Sequence, residues 1–248
     1  MRIFLVNKKN IFIATSIIIL IFIIIIIGNQ IFNDILNHNN TDKTPHSINT
    51  SFIIENNLSQ ETLDNLFLSN EKIAFLTFDD GPTIKATPKI LDILKEENVK
   101  ASFFVIGKYV KNHPDLVKRA YDEGHYIANH TYNHDNVILY KNKNSFLSEI
   151  QNTDIEISKA IKVNNYKSKI FRFPNGFSSN IYKNQKKEAV NWLNSLGYVY
   201  IDWNALNKDS EKYYSKTELL NNFKKTSKNK GTLVILMHDT TDVSNSSE

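Results

Sequence analysis

From Lys72 to Asp239, short apolar runs alternate with longer stretches whose apolar residues recur every three or four positions. "KIAFLTFDD" is followed by "TPKILDILKEENV", "KASFFVIG" by "HPDLVKRAYDEG", and "HYIANHTYNH" by "SFLSEIQNTDIEISKAIKV". "KIFRFPNG" then precedes "KKEAVNWLNSLG", "YVYIDWNA" precedes "KTELLNNFKKTSKNK", and "GTLVILMHD" closes the series. A short apolar run bounded by turn residues reads as a strand buried on both faces, and the longer spacing reads as an amphipathic helix. Six such runs with helices between them predict a parallel sheet with helical crossovers, in the manner of a (β/α) barrel.

The N-terminal part follows a different pattern. Ile11 to Gly28 reads "IFIATSIIILIFIIIIIG", 18 residues without a charge, which as a helix would span about 27 Å of a hydrocarbon core about 30 Å thick. Arg2, Lys8 and Lys9 precede it and the first charge after it is Asp34, so the positive-inside rule puts residues 1–10 in the cytoplasm and the remainder outside. The run exceeds the apolar region of a cleaved signal peptide and no small-residue cleavage site follows Gly28, so 11–28 is expected to be an uncleaved transmembrane signal anchor. Residues 29–70, rich in Asn, Ser, Thr and Asp, read as a flexible extracellular linker with one short helix over Gln60–Leu68. The expected arrangement is a single-pass protein of the cell membrane, with a globular domain over 71–248 outside the cell.

Composition narrows the chemistry. The chain has 248 residues and a net charge of +4, and removing Arg2, Lys8 and Lys9 leaves +1 for everything after the apolar run. Its basicity is thus a property of the N-terminus, and nucleic acid is not an expected partner. There is no cysteine, which excludes disulfides and thiolate ligation, so any metal must be held by His, Asp or Glu.

The candidate chemistry collects at strand ends. Asp79 and Asp80, His130 and His134, Arg172 and Pro174, Asp202 and Trp203, and His238 each lie at or just past the C-terminal end of a predicted strand, where α/β barrels build their sites. "HTYNH" sets His130 and His134 four apart, on one face if the segment is a helical turn. Two His and one Asp around an open coordination position suit a catalytic zinc ion, and the same set accepts iron or other divalent ions. Asp79 and Asp80 point to opposite sides of a strand, yet past its end one can bind a metal while the other reaches the attacking water. An arginine such as Arg172 aimed into a site would fix a catalytic carboxylate in its charged form. His238 is a candidate general acid, which Asp202 could orient and charge. Trp203 and Leu236 read as core, or as pocket lining if the site is as supposed.

"TFDDGP", "HTYNH", "RFPNG", "DW" and "LMH", in that order and spacing, resemble the five motifs of the polysaccharide deacetylases, the NodB homology domain of carbohydrate esterase family four. The resemblance spans Lys72 to about Asp239. It implies a deformed (β/α) barrel that removes N-acetyl groups from amino sugars with one divalent ion, zinc before cobalt, nickel or iron. Carried over by position, it implies that Asp80, His130 and His134 bind the metal and that Asp79 is the base, held by Arg172. His238 would protonate the departing amine with Asp202 tuning it, and Trp203 and Leu236 would enclose the acetyl methyl group. Pro174 and Asn175 would border the substrate, Asn175 through a backbone N–H offered to the oxyanion.

Two features depart from the family pattern. Asn175 stands where many members have an aromatic residue or glycine, and the chain ends soon after "LMHD" where members usually continue with a further helix and strand. The domain is therefore expected to lack its last helix and strand and to expose an adhesive edge beside its last strand. The leading expectation is a membrane-tethered deacetylase of a cell-wall glycan, with N-acetylglucosamine of peptidoglycan as its substrate. The alternative is a truncated, weak or inactive relative that binds wall glycan. A glycosidase using Asp79 and Asp80 as its acid and nucleophile is disfavoured, because adjacent strand residues do not flank a sugar ring from opposite faces.

Overall fold

The computed structural model describes residues 58–240. The anchor expected over 11–28 and most of the linker expected over 29–70 lie outside the described residues, and among the described residues no helix is long and apolar enough to cross a membrane. The six expected strands are present as β1 (Ala74–Asp79), β2 (Ser102–Val105), β3 (Tyr126–Asn129), β4 (Ile170–Phe171), β5 (Val199–Tyr200) and β7 (Leu233–His238). A further two-residue strand, β6 (Ala205–Leu206), completes one parallel sheet of order β5-β4-β3-β2-β1-β7-β6.

Helix α1 (Gln60–Leu66) precedes the sheet. Helices α2 (Thr87–Glu96), α3 (Gly107–Asn112), α4 (Pro114–Asp122), α5 (Asn136–Leu139), α6 (Lys143–Ile161), α7 (Lys183–Ser195) and α8 (Lys216–Ser227) lie in the crossovers. Their starts follow local sequence signals. Asn142 and Ser215 accept hydrogen bonds from backbone amides of the first turns of α6 and α8, and Ser215 with Glu218 forms a capping box.

Chain connectivity forces the sheet to curl. Strands β5 and β6 occupy opposite edges of the sheet, yet only residues 201–204 join them. Five residue steps reach at most about 18 Å, whereas six flat inter-strand gaps would separate the edges by about 29 Å.

Strand parity then sorts the residues. Phe75, Phe104, Tyr126, Ala128, Ile170, Val199 and Val234 form the buried core inside the curl. Phe78, Phe103, Val105 and Ile127, on the other face, pack with Leu91, Val117 and Ile157 of the outer helices. The inward rows continue toward the C-terminal ends as Asp79 after Phe75, His130 after Ala128, Arg172 after Ile170 and His238 after Val234. The same parity that builds the apolar core therefore delivers the polar side chains to one mouth.

Two expectations are corrected here. Helix α1 is part of the domain and not of a tether, because Leu63 and Leu66 are fully buried in the interior core beside Phe75 and Val234. The domain thus includes residues before the expected boundary at 71. The last strand is also not an edge: β7 pairs with β1 along its whole length and with β6 on its other side.

The true edges are short, and a side chain covers each. Gln60 Nε2 donates to Tyr200 O at 3.0 Å and its Oε1 accepts from Tyr200 N at 3.0 Å, so an α1 amide imitates a strand beside β5. Thr226 Oγ1 of α8 donates to Leu206 O at 2.7 Å and accepts from Leu206 N at 3.1 Å, which does the same for β6. Edges closed in this way offer little to a second chain.

Candidate functional site

Asp79, the last residue of β1, is 3% exposed, and its Oδ1 accepts from Arg172 Nη1 at 2.8 Å. Arg172 is itself fully buried, lies with its guanidinium carbon 4.0 Å from the centre of the Phe104 ring, and donates also to Thr77 Oγ1 and Ile201 O at 2.8 and 3.0 Å. A planar fork fixed on so many acceptors holds one oxygen of Asp79 and leaves Oδ2 on the cavity side, 3.8 Å from His130 Nε2.

Asp80 has the opposite parity in the strand but adopts a φ of 75°, so the chain turns at the strand end and brings its carboxylate back beside Asp79. Gly81, next along, has no room for a side chain, because a Cβ there would lie 2.0 Å from the buried carboxyl of Asp239.

Asp80 Oδ1 lies 3.4 Å from His130 Nε2 and 3.3 Å from His134 Nε2, and it is buried without a hydrogen-bond partner. His130 Nδ1 is 2.8 Å from the carbonyl oxygen of Arg172, an acceptor only, so Nδ1 carries the proton and Nε2 presents its lone pair toward Asp80. The expected helical turn is not what joins the two imidazoles. Residues 130–134 form an irregular turn with positive φ at Thr131 and His134, which brings the rings to 4.8 Å between centres.

That turn is pinned from below. Asn129 Oδ1 accepts from Thr131 N at 3.0 Å, and Glu149 of α6 accepts from the amides of Tyr132 and Asn133 at 3.0 and 2.8 Å.

Two nitrogens and one carboxylate oxygen, mutually within 4.8 Å, make the donor set of a divalent-cation site. The electrostatics agree. Burial disfavours the charged form of His130, but Asp79 and Asp80 outweigh it and raise its pKa, while burial and His130 together lower that of His134. Burial likewise opposes the Asp80 carboxylate, yet His130, His134 and His238 hold it well below the usual range. The cluster thus favours positive charge at its centre, and Asp80 Oδ1 is an anionic oxygen with no proton donor assigned to it. The residues fit a divalent ion.

His238 stands directly opposite Asp79 across the β1–β7 pair. Its expected partner was Asp202, and the structure corrects this: His238 Nδ1 is 2.7 Å from Asp209 Oδ1, and its backbone N–H donates to Asp209 Oδ2 at 2.9 Å. Asp202 instead accepts from Phe177 N and Ser178 N at 2.7 and 2.8 Å. Strand parity supplies the reason, since Trp203 faces the cavity and its neighbour therefore faces away. Asp209 sits in the loop after β6, a segment with no apolar period to mark it.

Burial opposes the charged form of His238, but the Asp209 bond and the charges of Asp79, Asp209 and Asp80 raise its pKa to about 9. A cation at Asp80 would offset part of the Asp79 and Asp80 contribution, which leaves Asp209 as the partner that keeps His238 protonated. Asp209→Asn is accordingly expected to move the alkaline limb of any His238-dependent activity toward neutral pH, with a loss at pH 8 of about twofold if the pKa falls by about one unit and of about tenfold if it falls by about two. A pH–rate profile of the variant checks this, and an unmoved alkaline limb would contradict it. Stability follows the same sign. The raised value contributes stability that is complete below the ordinary 6.5 and is lost as pH rises through about 9.

Asp79, Asp80, His130 and His238 line one cavity of about 500 Å³ together with His134, Asn175, Trp203 and Leu236. Lys108, Tyr109, Asn133, Ser210 and Glu211 also line it and carried no sequence signal. Pro174 is buried and is not among the lining residues, so its contribution is to the corner that exposes Asn175, whose φ is 63°.

Residues 69–201 match the family model described as polysaccharide deacetylase. The chain is 38% identical over 136 residues to a peptidoglycan-N-acetylglucosamine deacetylase of Bacillus cereus, covering 55% of this chain and 46% of that protein. It is 34% identical over 160 residues to a peptidoglycan-N-acetylmuramic acid deacetylase of Bacillus subtilis, covering 62% of this chain and 58% of that protein. The alignments thus span about half the length of these curated relatives. Among solved structures the fold is similar to that of a Streptococcus mutans CE4 esterase, with a TM-score of 0.64 at 28% identity over 74% of this chain and 80% of that one.

Proposed function

Because the chain belongs to the polysaccharide deacetylase family, we propose that it is a metal-dependent hydrolase that removes N-acetyl groups from amino sugars of a cell-wall polysaccharide, with N-acetylglucosamine of peptidoglycan as its substrate. The observation that carries the reading is Asp80 Oδ1, buried without a hydrogen-bond partner and within 3.4 Å of two imidazole nitrogens, beside an Asp–Arg pair and opposite a raised-pKa histidine. Two relatives are deacetylases of N-acetylglucosamine and of N-acetylmuramic acid in peptidoglycan, while others are chitooligosaccharide deacetylases, and an anchor at 11–28 would hold this domain beside the wall.

In this reading Asp80, His130 and His134 hold one divalent ion, with zinc suited to the donor set. When bound, such an ion supplies Lewis acidity that lowers the pKa of water and polarises an amide carbonyl. The chain's own residues do the rest. Asp79, oriented through Oδ1 by Arg172, takes the proton of the attacking water at Oδ2. The carbon–oxygen bond forms, and negative charge develops on the carbonyl oxygen beside Asn175, whose backbone N–H is the expected donor to it. His238, charged and held at Nδ1 by Asp209, gives its Nε2 proton to the nitrogen as the carbon–nitrogen bond breaks. Acetate and a free amino sugar result. Trp203 and Leu236 offer the apolar wall against which the acetyl methyl group packs.

The test is acetate release from N-acetylglucosamine oligomers and from peptidoglycan by the purified full chain. Metal-dependent release that stops on chelation and returns on adding zinc is expected, and chain cleavage in place of acetate would return the site to glycosidase chemistry. A chain that binds wall glycan but releases no acetate in this assay would favour the binding-only alternative.

A further inference from the structure

Lys186, on α7, is a fully buried lysine. Its ammonium donates to the carbonyl oxygen of Gly176 in a short hydrogen bond, to Ser179 Oγ at 2.8 Å and to Ser179 O at 3.3 Å, which occupies all three of its protons. From the other side, Asp202 takes the amides of Phe177 and Ser178 on its two oxygens at 2.7 and 2.8 Å. The residues 176–179 are thus gripped through their carbonyls by a cation and through their amides by an anion.

Lysines are almost never fully buried without such a purpose. Burial lowers the pKa of Lys186 while Asp202 opposes that shift, so the two grips also support each other electrically.

The gripped segment adjoins one wall of the site. Asn175 precedes it, lines the cavity and is tied at Oδ1 to Asn136 Nδ2 at 2.8 Å. Gly176, with a φ of 76°, lies so close to the Trp203 ring that a Cβ would come within 2.8 Å of Cη2. A shift of the loop would therefore move both the Asn175 backbone and the ring that faces the acetyl group.

We infer that Lys186 and Asp202 are positioning residues that clamp the loop 175–179 in the geometry the reaction requires. This rests on the deacetylase reading for its kinetic consequence but not for its structural one. Neither residue lines the cavity, and neither exchanges a proton with substrate in this scheme. Misplacing a reacting or stabilising group by about 1 Å costs on the order of 10²-fold in rate, and the metal-binding residues lie on other loops.

The experiment compares Lys186→Met and Lys186→Ala with the unaltered full chain. It measures metal content, kcat and KM for acetate release, and amide hydrogen exchange over 175–179. The clamp predicts unchanged metal content, KM within about twofold, kcat lowered by about 10–100-fold, and faster exchange at Phe177 and Ser178. Ethylammonium added to Lys186→Ala should restore part of kcat and slow that exchange, a rescue that a general loss of folding does not permit.

Normal kcat with normal exchange would overturn the inference. So would kcat, KM and metal content falling together without rescue. If the Lys186 variants do not fold, Ser179→Ala removes one bond of the grip and Asp202→Asn weakens the other, and unchanged exchange in both would be equally decisive against it. Should the unaltered chain release no acetate, the deacetylase reading fails, while the exchange measurements still decide the clamp.

Discussion

Asp79→Asn is expected to lower acetate release by roughly 10²–10⁴-fold, the range over which a positioned general base acts, while the bound metal stays in place. The carboxamide keeps the size of the side chain but cannot take a proton from water. Its oxygen can still accept from Arg172 Nη1, now 2.8 Å from Asp79 Oδ1, so the buried guanidinium does not lose that partner. Arg172 also keeps its bonds to Thr77 Oγ1 and Ile201 O. The fold should therefore tolerate the change, and thermal unfolding together with elemental analysis separates a chemical loss from a structural one. Asp80→Asn should behave in the opposite way, losing metal first, because its Oδ1 is the oxygen that faces both imidazoles. Equal metal loss in the two variants would mean that the adjacent carboxylates do not divide the work as proposed.

That division was visible in the sequence only in part. Two adjacent aspartates at the end of an apolar run imply a strand end, and parity forbids them from facing the same way within the strand. What resolves the conflict is the left-handed conformation at Asp80, which aspartate tolerates better than most residues and which no pattern in "FLTFDDGPT" demands. The inward rows were more legible. Phe75, Thr77 and Asp79 alternate with outward residues, as do Val234, Leu236 and His238, so an apolar row ending in a polar residue signals a site at a barrel mouth.

The misses have local physical causes. Strand β6 has two residues, too few to show a period, and it turns the last apolar strand from an edge into an interior one. Helix α1 was assigned to a linker because its surroundings are polar, yet Leu63 and Leu66 three apart are enough to bury one face. Asp202 attracted a catalytic role by standing beside Trp203 at a strand end. The alternation rule, applied to that pair, would have sent one of them away from the cavity. Asp209 could be found only from three dimensions, because its bond to His238 joins residues 29 apart through loops without periodicity.

His134→Ala is expected to abolish stoichiometric metal binding and with it the metal dependence of stability. A ligand that binds only the folded state stabilises it by about 2.7 kcal/mol at a hundred times its Kd, and about 1 kcal/mol shifts Tm by about 2–4 °C in a domain of this size. The unaltered chain should thus gain roughly 5–10 °C in saturating zinc, whereas His134→Ala should melt at nearly the same temperature with and without it. His134 is the cleaner choice for this test, since its side chain is 28% exposed. His130→Ala should lose metal equally but also melt lower when metal-free. His130 is 2% exposed and its Nδ1 meets the Arg172 carbonyl, which would lose that donor in a buried place. The two variants separate ligation from support: the metal-dependent gain vanishes in both, and the metal-free Tm falls only in His130→Ala. A full zinc-dependent gain in the double variant would show that Asp80, His130 and His134 are not the ligands and would move the search to the other carboxylates and histidines lining the cavity.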